Sequence, residues 1–138
     1  MGKISKSIQF KLARVFRPFC QPRMFPLKKN FQGQRINKTS VGNTTFIDHR
    51  KKLFLKDMTY IGHHNFIEAS HEIHIDEGCQ ITDFVSITTH SSHISIRLLG
   101  SRYHEFKNPP GYITGSVHIG KFTFVGTHSL IMTGTKIG

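Results

Sequence analysis

Residues 119–138 read IGKFTFVGTHSLIMTGTKIG, and an aliphatic residue stands at every sixth position of this stretch. The four positions are Ile119, Val125, Ile131 and Ile137. A helix repeats near 3.6 residues and a strand near 2, so neither element alone produces a period of six. The spacing predicts a repeated unit of one short strand and one corner. Each unit then points one large apolar residue into a narrow core shared by stacked turns.

The same spacing recurs upstream with a longer period of twenty residues. Aliphatic residues lie twenty apart in three sets: Val41, Ile61, Ile81; Ile47, Ile67, Ile87; and Leu55, Ile75. Residues 41–87 therefore predict a little over two turns, and residues 117–138 predict another. Eight residues are expected in the core: Ile61, Ile67, Ile75, Ile81, Ile87, Ile119, Val125 and Ile131.

Residues 88–116 lose the repeat and contain Asn108, Pro109, Pro110 and Gly111 in succession. Proline and glycine at neighbouring positions are typical of turns, so a long loop is expected at about 88–116. Long loops in compact domains are often functional.

The stretches DEGCQITDFVSITTHSSH and GSVHIGKFTFVGTHSLIMTGTKIG, with the loop between them, resemble the hexapeptide-repeat acyltransferases. Within that superfamily, residues 41–138 are similar to the maltose, galactoside and polysaccharide O-acetyltransferases. The resemblance implies an all-β, left-handed parallel β-helix that assembles as a homotrimer with active sites between subunits. It also implies transfer of an acetyl group from acetyl-CoA to a hydroxyl of a sugar or a cell-surface polysaccharide precursor, with no metal.

A histidine at the exit to the loop is the general base in the resembled family, and His90 and His93 both occupy that place. An acceptor hydroxyl needs a base because it is a poor nucleophile while protonated, and histidine is suited to this near neutral pH. The two residues follow Ile87 by three and six positions. The maltose enzymes have theirs at about five, which slightly favours His93, while relatives with an H-x-H arrangement keep both. The choice stays open at this point.

The resemblance also carries a substrate site and a coenzyme site. Glu68 and Ser70 match the region where relatives contact the acceptor sugar, and Thr127 matches a small polar residue that contacts coenzyme A. Arg97, in the loop, is a candidate for binding an anionic sugar or a coenzyme phosphate. Relatives continue beyond the position that matches Gly138, so the chain is expected to be a truncated version whose activity is in question.

The first 40 residues are expected to form a basic segment that precedes the repeat domain at 41–138. They hold ten of the nineteen Lys and Arg residues, and the first acidic residue of the chain is Asp48. Apolar residues in ISKSIQFKLARVFRPF follow helical spacing with basic residues largely between them, which predicts an amphipathic helix. This helix is expected to cap the open end of the repeat domain or to lie on an anionic membrane through residues 1–22, and the two roles can coexist. Nucleic-acid binding is not expected, because no nucleic-acid motif accompanies the charge.

Two other functions compete with acetyl transfer. One is a non-catalytic scaffold or a degenerate fragment. The other is a zinc protein similar to carbonic anhydrases of this fold, for which six histidines are candidate ligands: His63, His64, His90, His93, His118 and His128. Their spacings match no zinc motif. The chain has no apolar run as long as a membrane span and no signal peptide, so a cytoplasmic protein is expected, with peripheral contact at the inner membrane face.

Overall fold

The structure is a computed structural model that describes residues 21–138 together with Ile8, Lys11, Leu12, Arg14 and Val15. Most of the described chain consists of short strands separated by corners. The strands are Met24–Lys29 (β1), Arg35–Gly42 (β2), Phe46–Asp48 (β3), Leu53–Leu55 (β4), Tyr60–Ile61 (β5), Phe66–Glu68 (β6), Ile73–Ile75 (β7), Gln80–Ile81 (β8), Ser86–Thr88 (β9), His90–Ser91 (β10), Ile113–Thr114 (β11), Val117–Ile119 (β12), Phe124–Val125 (β13), Leu130–Ile131 (β14) and Lys136–Ile137 (β15).

From β2 onward the chain visits three parallel sheets in rotation. The first sheet contains β2, β5, β8 and β13, the second β3, β6, β9 and β14, and the third β4, β7, β12 and β15. Within the first three turns the paired residues are twenty apart, as in Ile47 beside Ile67 and Ile67 beside Ile87. Across the excursion after β9 the offset becomes 44, as in Ile87 beside Ile131. The twenty-residue repeat in the sequence therefore gives the pairing register of the strands in each sheet.

The eight residues predicted to form the core are all buried, which confirms that part of the sequence analysis. They line the space enclosed by the three sheets, together with Leu53, Leu55, Ile73, Val85 and Val117. Each strand contributes alternate residues inward, and its other side chains point outward, as strand geometry requires. The strands of the second sheet each point one aliphatic residue inward, whereas β4, β7 and β12 of the third sheet each bury two.

Small polar residues at the corners bond to the backbone of the neighbouring turn. The hydroxyl of Thr45 donates to the carbonyl of Gly62, and the hydroxyl of Thr82 donates to the carbonyl of Val125. Buried Thr59 donates to the carbonyl of Lys56, three residues earlier in its own turn. The hydroxyl groups thus find acceptors at the corners, which suits small polar residues to these positions.

The excursion at 88–116 is more ordered than the sequence predicted. It contains the helix His93–Leu99 and the 3-10 helix Gly100–Glu105, and an antiparallel pair of β10 and β11 closes it. The helix ends where Gly100 adopts a φ of 54°, a conformation that glycine reaches without steric cost. Proline and glycine at 109–111 mark only the return limb, so the sequence pattern gave no signal for the helix.

The N-terminal part of the described chain includes a hairpin that the sequence analysis did not predict. Strand β1 pairs antiparallel with β2, so it covers the free edge of the first sheet. Strand β2 spans the expected boundary between residues 40 and 41. It pairs along its length with β1, and Ser40 and Val41 also pair with β5. Covered edges protect a sheet from pairing with other chains.

Five residues of the predicted amphipathic segment are described, and all five are helical and exposed. They are Ile8, Lys11, Leu12, Arg14 and Val15; the rest of the segment up to residue 20 lies outside the described residues. In the described part of the chain, no helix combines the length and the hydrophobicity needed to cross a bilayer.

Replacing Gly42 with alanine is expected to destabilise the protein by about 1–3 kcal/mol, the usual cost of overpacking. A Cβ atom at this position would meet the backbone carbonyl of Gly62, which cannot move without shifting the next turn. Gly126 is the matched control, because it occupies the same place in a later turn and a Cβ there meets nothing closer than the ring of Phe124 at 4.0 Å. Urea unfolding should therefore show a lower midpoint for Gly42→Ala and little change for Gly126→Ala. Equal midpoints for both variants would contradict this account of the corner.

Candidate functional site

A buried carboxylate lies at the corner where the chain leaves the second sheet. Glu68 is the last residue of β6, pairs in register with Thr88, and is only 5% exposed. One of its oxygens, Oε1, accepts the backbone N–H of Ser70 at 2.8 Å. The other, Oε2, accepts the backbone N–H of Thr89 at 3.0 Å and the Thr89 hydroxyl at 2.8 Å. Three protein donors thus fix both oxygens.

The fourth partner of this carboxylate is an imidazole. His90 Nδ1 lies 2.9 Å from Oε2 of Glu68. Because an ionised carboxylate can only accept, the neutral imidazole must carry its proton on Nδ1, which leaves Nε2 with a free lone pair. The side chain of His90 is 38% exposed. Glu68 and His90 therefore form a carboxylate–imidazole pair with one buried member and one member open to solvent.

Two opposing effects act on the pKa of Glu68. Burial alone would raise the pKa, but hydrogen bonds from Ser70 and Thr89 outweigh burial and lower it to about 2. Glu68 is therefore a carboxylate throughout the neutral range. A permanent negative charge at Nδ1 favours the imidazolium that forms when His90 accepts a proton at Nε2. The pair is thus arranged as a base with its orienting group.

An aromatic residue from the return limb of the excursion covers His90. The rings of His90 and Tyr112 are stacked, with centroids 5.6 Å apart and planes inclined by 26°. The antiparallel pairs His90–Thr114 and Ser91–Ile113 hold the two limbs together at this point. Burial raises the pKa of the Tyr112 phenol, and nearby Tyr103 and Glu68 add to the effect, so the phenol is neutral.

His93 occupies a different environment. It is the first residue of the helix, it is exposed, and its Nδ1 lies 2.8 Å from the hydroxyl of Ser91. A hydroxyl can orient an imidazole, but it supplies no charge to favour the protonated ring. The geometry therefore favours His90 over His93 as the base, whereas the offset in the sequence slightly favoured His93.

The residues expected to bind substrate are only partly brought together. The hydroxyl of Ser70 lies 2.9 Å from His71 Nδ1 and 3.3 Å from the hydroxyl of Thr89, so it belongs to the network around Glu68. The carboxylate of Glu68 is buried, and both of its oxygens already accept hydrogen bonds from the protein. A ligand at this corner is therefore more easily contacted by His90 than by Glu68 itself. Arg97 is exposed in the last turn of the helix His93–Leu99.

Thr127 lies at a different corner from the pair of Glu68 and His90. It follows β13, the strand of the first sheet, and its hydroxyl donates to the hydroxyl of Thr82 at 3.4 Å. The Glu68–His90 pair follows strands of the second sheet. Within one copy of the chain, the second sheet therefore lies between His90, the expected base, and Thr127, the expected coenzyme contact.

Asp48 and His49 lie one turn below Glu68, and the three residues form a group with ligand atoms within 4.8 Å of one another. The closest approaches are from His49 Nδ1, at 3.2 Å to Oδ2 of Asp48 and 3.9 Å to Oε1 of Glu68. In the described part of the chain this group includes none of the six histidines proposed as zinc ligands. His74 and His118 instead stack on each other in the third sheet, and His64 and His128 stack on either side of Phe84 at another corner.

No family model matches the chain, and a search of curated proteins found no match.

Two features of the site were missed by sequence reasoning. The first is the contact of Glu68 with His90, which the twenty-residue register could have revealed, since Glu68 pairs with Thr88 and His90 follows two residues later. The second is the contact of Tyr112 with His90. It depends on how the excursion folds back, and no repeat in the sequence carries that information.

Proposed function

We propose that the chain is an O-acyltransferase that moves an acetyl group from acetyl-CoA to a hydroxyl of a sugar or polysaccharide precursor. The observation that carries the proposal is the pair of Glu68 and His90, a buried permanent carboxylate on Nδ1 of a solvent-accessible imidazole. The proposal also draws on the hexapeptide resemblance, which implies a histidine base at this point of the chain. On the same grounds we propose that the three parallel sheets are the walls of a left-handed β-helix.

The step that this pair supports is direct transfer without an acyl-enzyme. His90 Nε2 accepts the proton of the acceptor hydroxyl while the oxygen attacks the carbonyl carbon of the thioester. The carbon–sulfur bond then breaks, and the imidazolium returns its proton to the departing thiolate, giving an acetate ester and free coenzyme A. Glu68 remains ionised throughout and stabilises the imidazolium between the two proton transfers.

The test is the release of coenzyme A thiol from acetyl-CoA in the presence of a panel of hexoses, N-acetylhexosamines and uronic acids. A hydroxyl-bearing acceptor that accelerates thiol release and gains 42 Da, roughly the mass of an added acetyl group, is the expected result. Absence of acetylated product across the panel, with no acetyl-CoA hydrolysis above the rate without protein, would refute the proposal.

A homotrimer is part of the proposal, because in a single copy the second sheet lies between His90 and Thr127. If the thioester must reach both residues, a second copy is expected to supply Thr127 to the His90 of the first. Outward-facing apolar residues on the second sheet favour such packing. Phe46 and Phe66 stack 5.6 Å apart, and both are exposed, as is Leu130 in the same sheet. Such rows are typical of surfaces that a partner covers.

The N-terminal helix supports a second proposal, which is attachment to an anionic membrane surface. Ile8, Leu12 and Val15 are spaced for one helix face and are all exposed, while Lys11 and Arg14 flank them. The charge of residues 1–47, which contain no acid, is complementary to an anionic bilayer. On these grounds we propose a peripheral location at the inner membrane face.

Changing Ile8, Leu12 and Val15 together to serine should reduce binding to phosphatidylglycerol vesicles by at least about tenfold, because each buried aliphatic side chain contributes about 1.5–3 kcal/mol. Co-sedimentation at low salt measures the effect. Vesicles of phosphatidylcholine are the control, and they should bind weakly in every case. If the serine variant binds phosphatidylglycerol as tightly as the parent, the apolar face does not enter the bilayer.

A further inference from the structure

Tyr112 contacts His90 through ring stacking, and it takes no part in the hydrogen bonds between Glu68 and His90. Glu68 contacts the imidazole at one edge, through Nδ1. The Tyr112 ring lies over one face of the imidazole, at a centroid distance typical of offset stacking. A contact in the plane and a contact on the face together fix the direction of Nε2.

The backbone holds Tyr112 in this position. The N–H of Tyr112 donates to the carbonyl of Pro109 at 3.1 Å, which closes a turn. Gly111 in that turn has a φ of 77°, and a Cβ there would meet Cγ2 of Ile94 at 2.7 Å. The turn therefore packs directly on the helix that follows His90. Pairing of His90 with Thr114 completes the frame two residues beyond Tyr112.

We infer that Tyr112 is a positioning residue that aims His90 and, through its aromatic face, stabilises the imidazolium formed during proton transfer. The inference rests on the proposed function. An aromatic face attracts a cation, so the imidazolium formed during proton transfer gains more from the stack than the neutral ring does. The neutral phenol contributes its ring face, so phenylalanine is expected to replace tyrosine, whereas an aliphatic side chain is not.

The experiment compares full-length Tyr112→Phe, Tyr112→Leu and Tyr112→Gln with the parent chain. The first readout needs no substrate. Ring protons of His90, assigned by comparison with His90→Gln, are shifted upfield in NMR spectra by the stacked ring. The shift should persist in the Phe variant and disappear in the Leu and Gln variants. Tyr60→Leu is the matched control, because Tyr60 has the same exposure, 37%, and lies in the first sheet.

The second readout is kinetic. In the Leu and Gln variants, kcat for acetyl-CoA turnover should fall by about 3- to 30-fold, the range of a cation–π contact, with KM for acetyl-CoA little changed. The Phe variant should remain within about twofold. A Leu variant that keeps the upfield shift or keeps its kcat overturns the inference, as does a Phe variant that loses as much as Leu. A parent chain that turns over no acetyl-CoA refutes the proposed function. The NMR result alone then shows whether Tyr112 stacks on His90.

Discussion

Replacing His90 with glutamine is expected to lower kcat for acetyl transfer by about 10² to 10⁴, the usual cost of losing a general base. Glutamine approximates the size of the imidazole and offers Glu68 an amide donor, but it cannot accept a proton at the position of Nε2. KM for acetyl-CoA should change little, because the proposed contact with the coenzyme is made by Thr127 and not by His90. Thiol release from acetyl-CoA measures both constants. Hydrolysis, with water as acceptor, serves until a sugar acceptor is identified.

His93→Gln is the matched control for this prediction. His93 lies three residues further on, is exposed, and contacts the hydroxyl of Ser91 rather than a carboxylate. Its substitution should cost less than about tenfold in kcat, since it has no charged partner that would favour a protonated ring. A larger loss at His93 than at His90 would reverse the assignment. Near-full transfer by both variants would move the site elsewhere.

The repeated part of the fold was predictable because one physical rule governs it. Each strand of the three parallel sheets must point at least one aliphatic residue toward the enclosed core, so residues such as Ile67 and Ile87 are fixed by packing and reveal the register. The same rule does not reach the hairpin of β1 and β2 or the helix His93–Leu99. Those elements pack on the outside of the repeats, where several arrangements satisfy the same sequence.

The candidate site was half predictable for a related reason. Glu68 and His90 both emerged from the sequence, since they lie on or next to repeat positions. The contact between them did not, because no motif in the sequence indicated that the carboxylate of Glu68 accepts hydrogen bonds from Thr89 and His90, while its expected contact with an acceptor sugar stays a prediction. The offset from Ile87 compares the positions of His90 and His93 along the chain. The two histidines differ instead in their contact with Glu68, which lies in the preceding turn and, of the two, reaches only His90. Tyr112 was out of reach, because the excursion brings it back to His90 across 22 residues of chain that carry no repeat.

Replacing Glu68 with glutamine is expected to reduce both catalysis and stability. For catalysis, the amide carries no negative charge, and its NH₂ group can donate to Nδ1, which would select the tautomer with the proton on Nε2. In serine proteases an equivalent change from carboxylate to amide lowers kcat by about 10⁴ through the wrong tautomer. A loss of roughly 10² to 10⁴ is therefore expected here. Long-range ¹⁵N NMR of His90 should show the change of tautomer directly.

For stability, the lowered pKa of Glu68 fixes the direction of the pH dependence. The carboxyl has a pKa of about 2 in the folded chain against an ordinary value of 4.5. A lowered folded pKa means that the stabilisation is fully present above the unfolded pKa. It is lost as pH falls from about 4.5 to about 2. The contribution near neutral pH is about 3 kcal/mol, at 1.36 kcal/mol per pKa unit.

Glu68→Gln should lose most of this stabilisation near neutral pH, and its free energy of unfolding should vary less with pH below about 4.5. Urea unfolding at a series of pH values from neutral to strongly acidic measures both effects. Glu77→Gln is the control, because the Glu77 carboxylate lies in a solvent-accessible ion pair, 3.4 Å from Lys121. Exposed pairs contribute about 0–1 kcal/mol, so this variant should follow the parent closely. If Glu68→Gln keeps the acid dependence of the parent, the stabilising charge belongs to another carboxylate, and the orienting partner of His90 is not ionised as proposed.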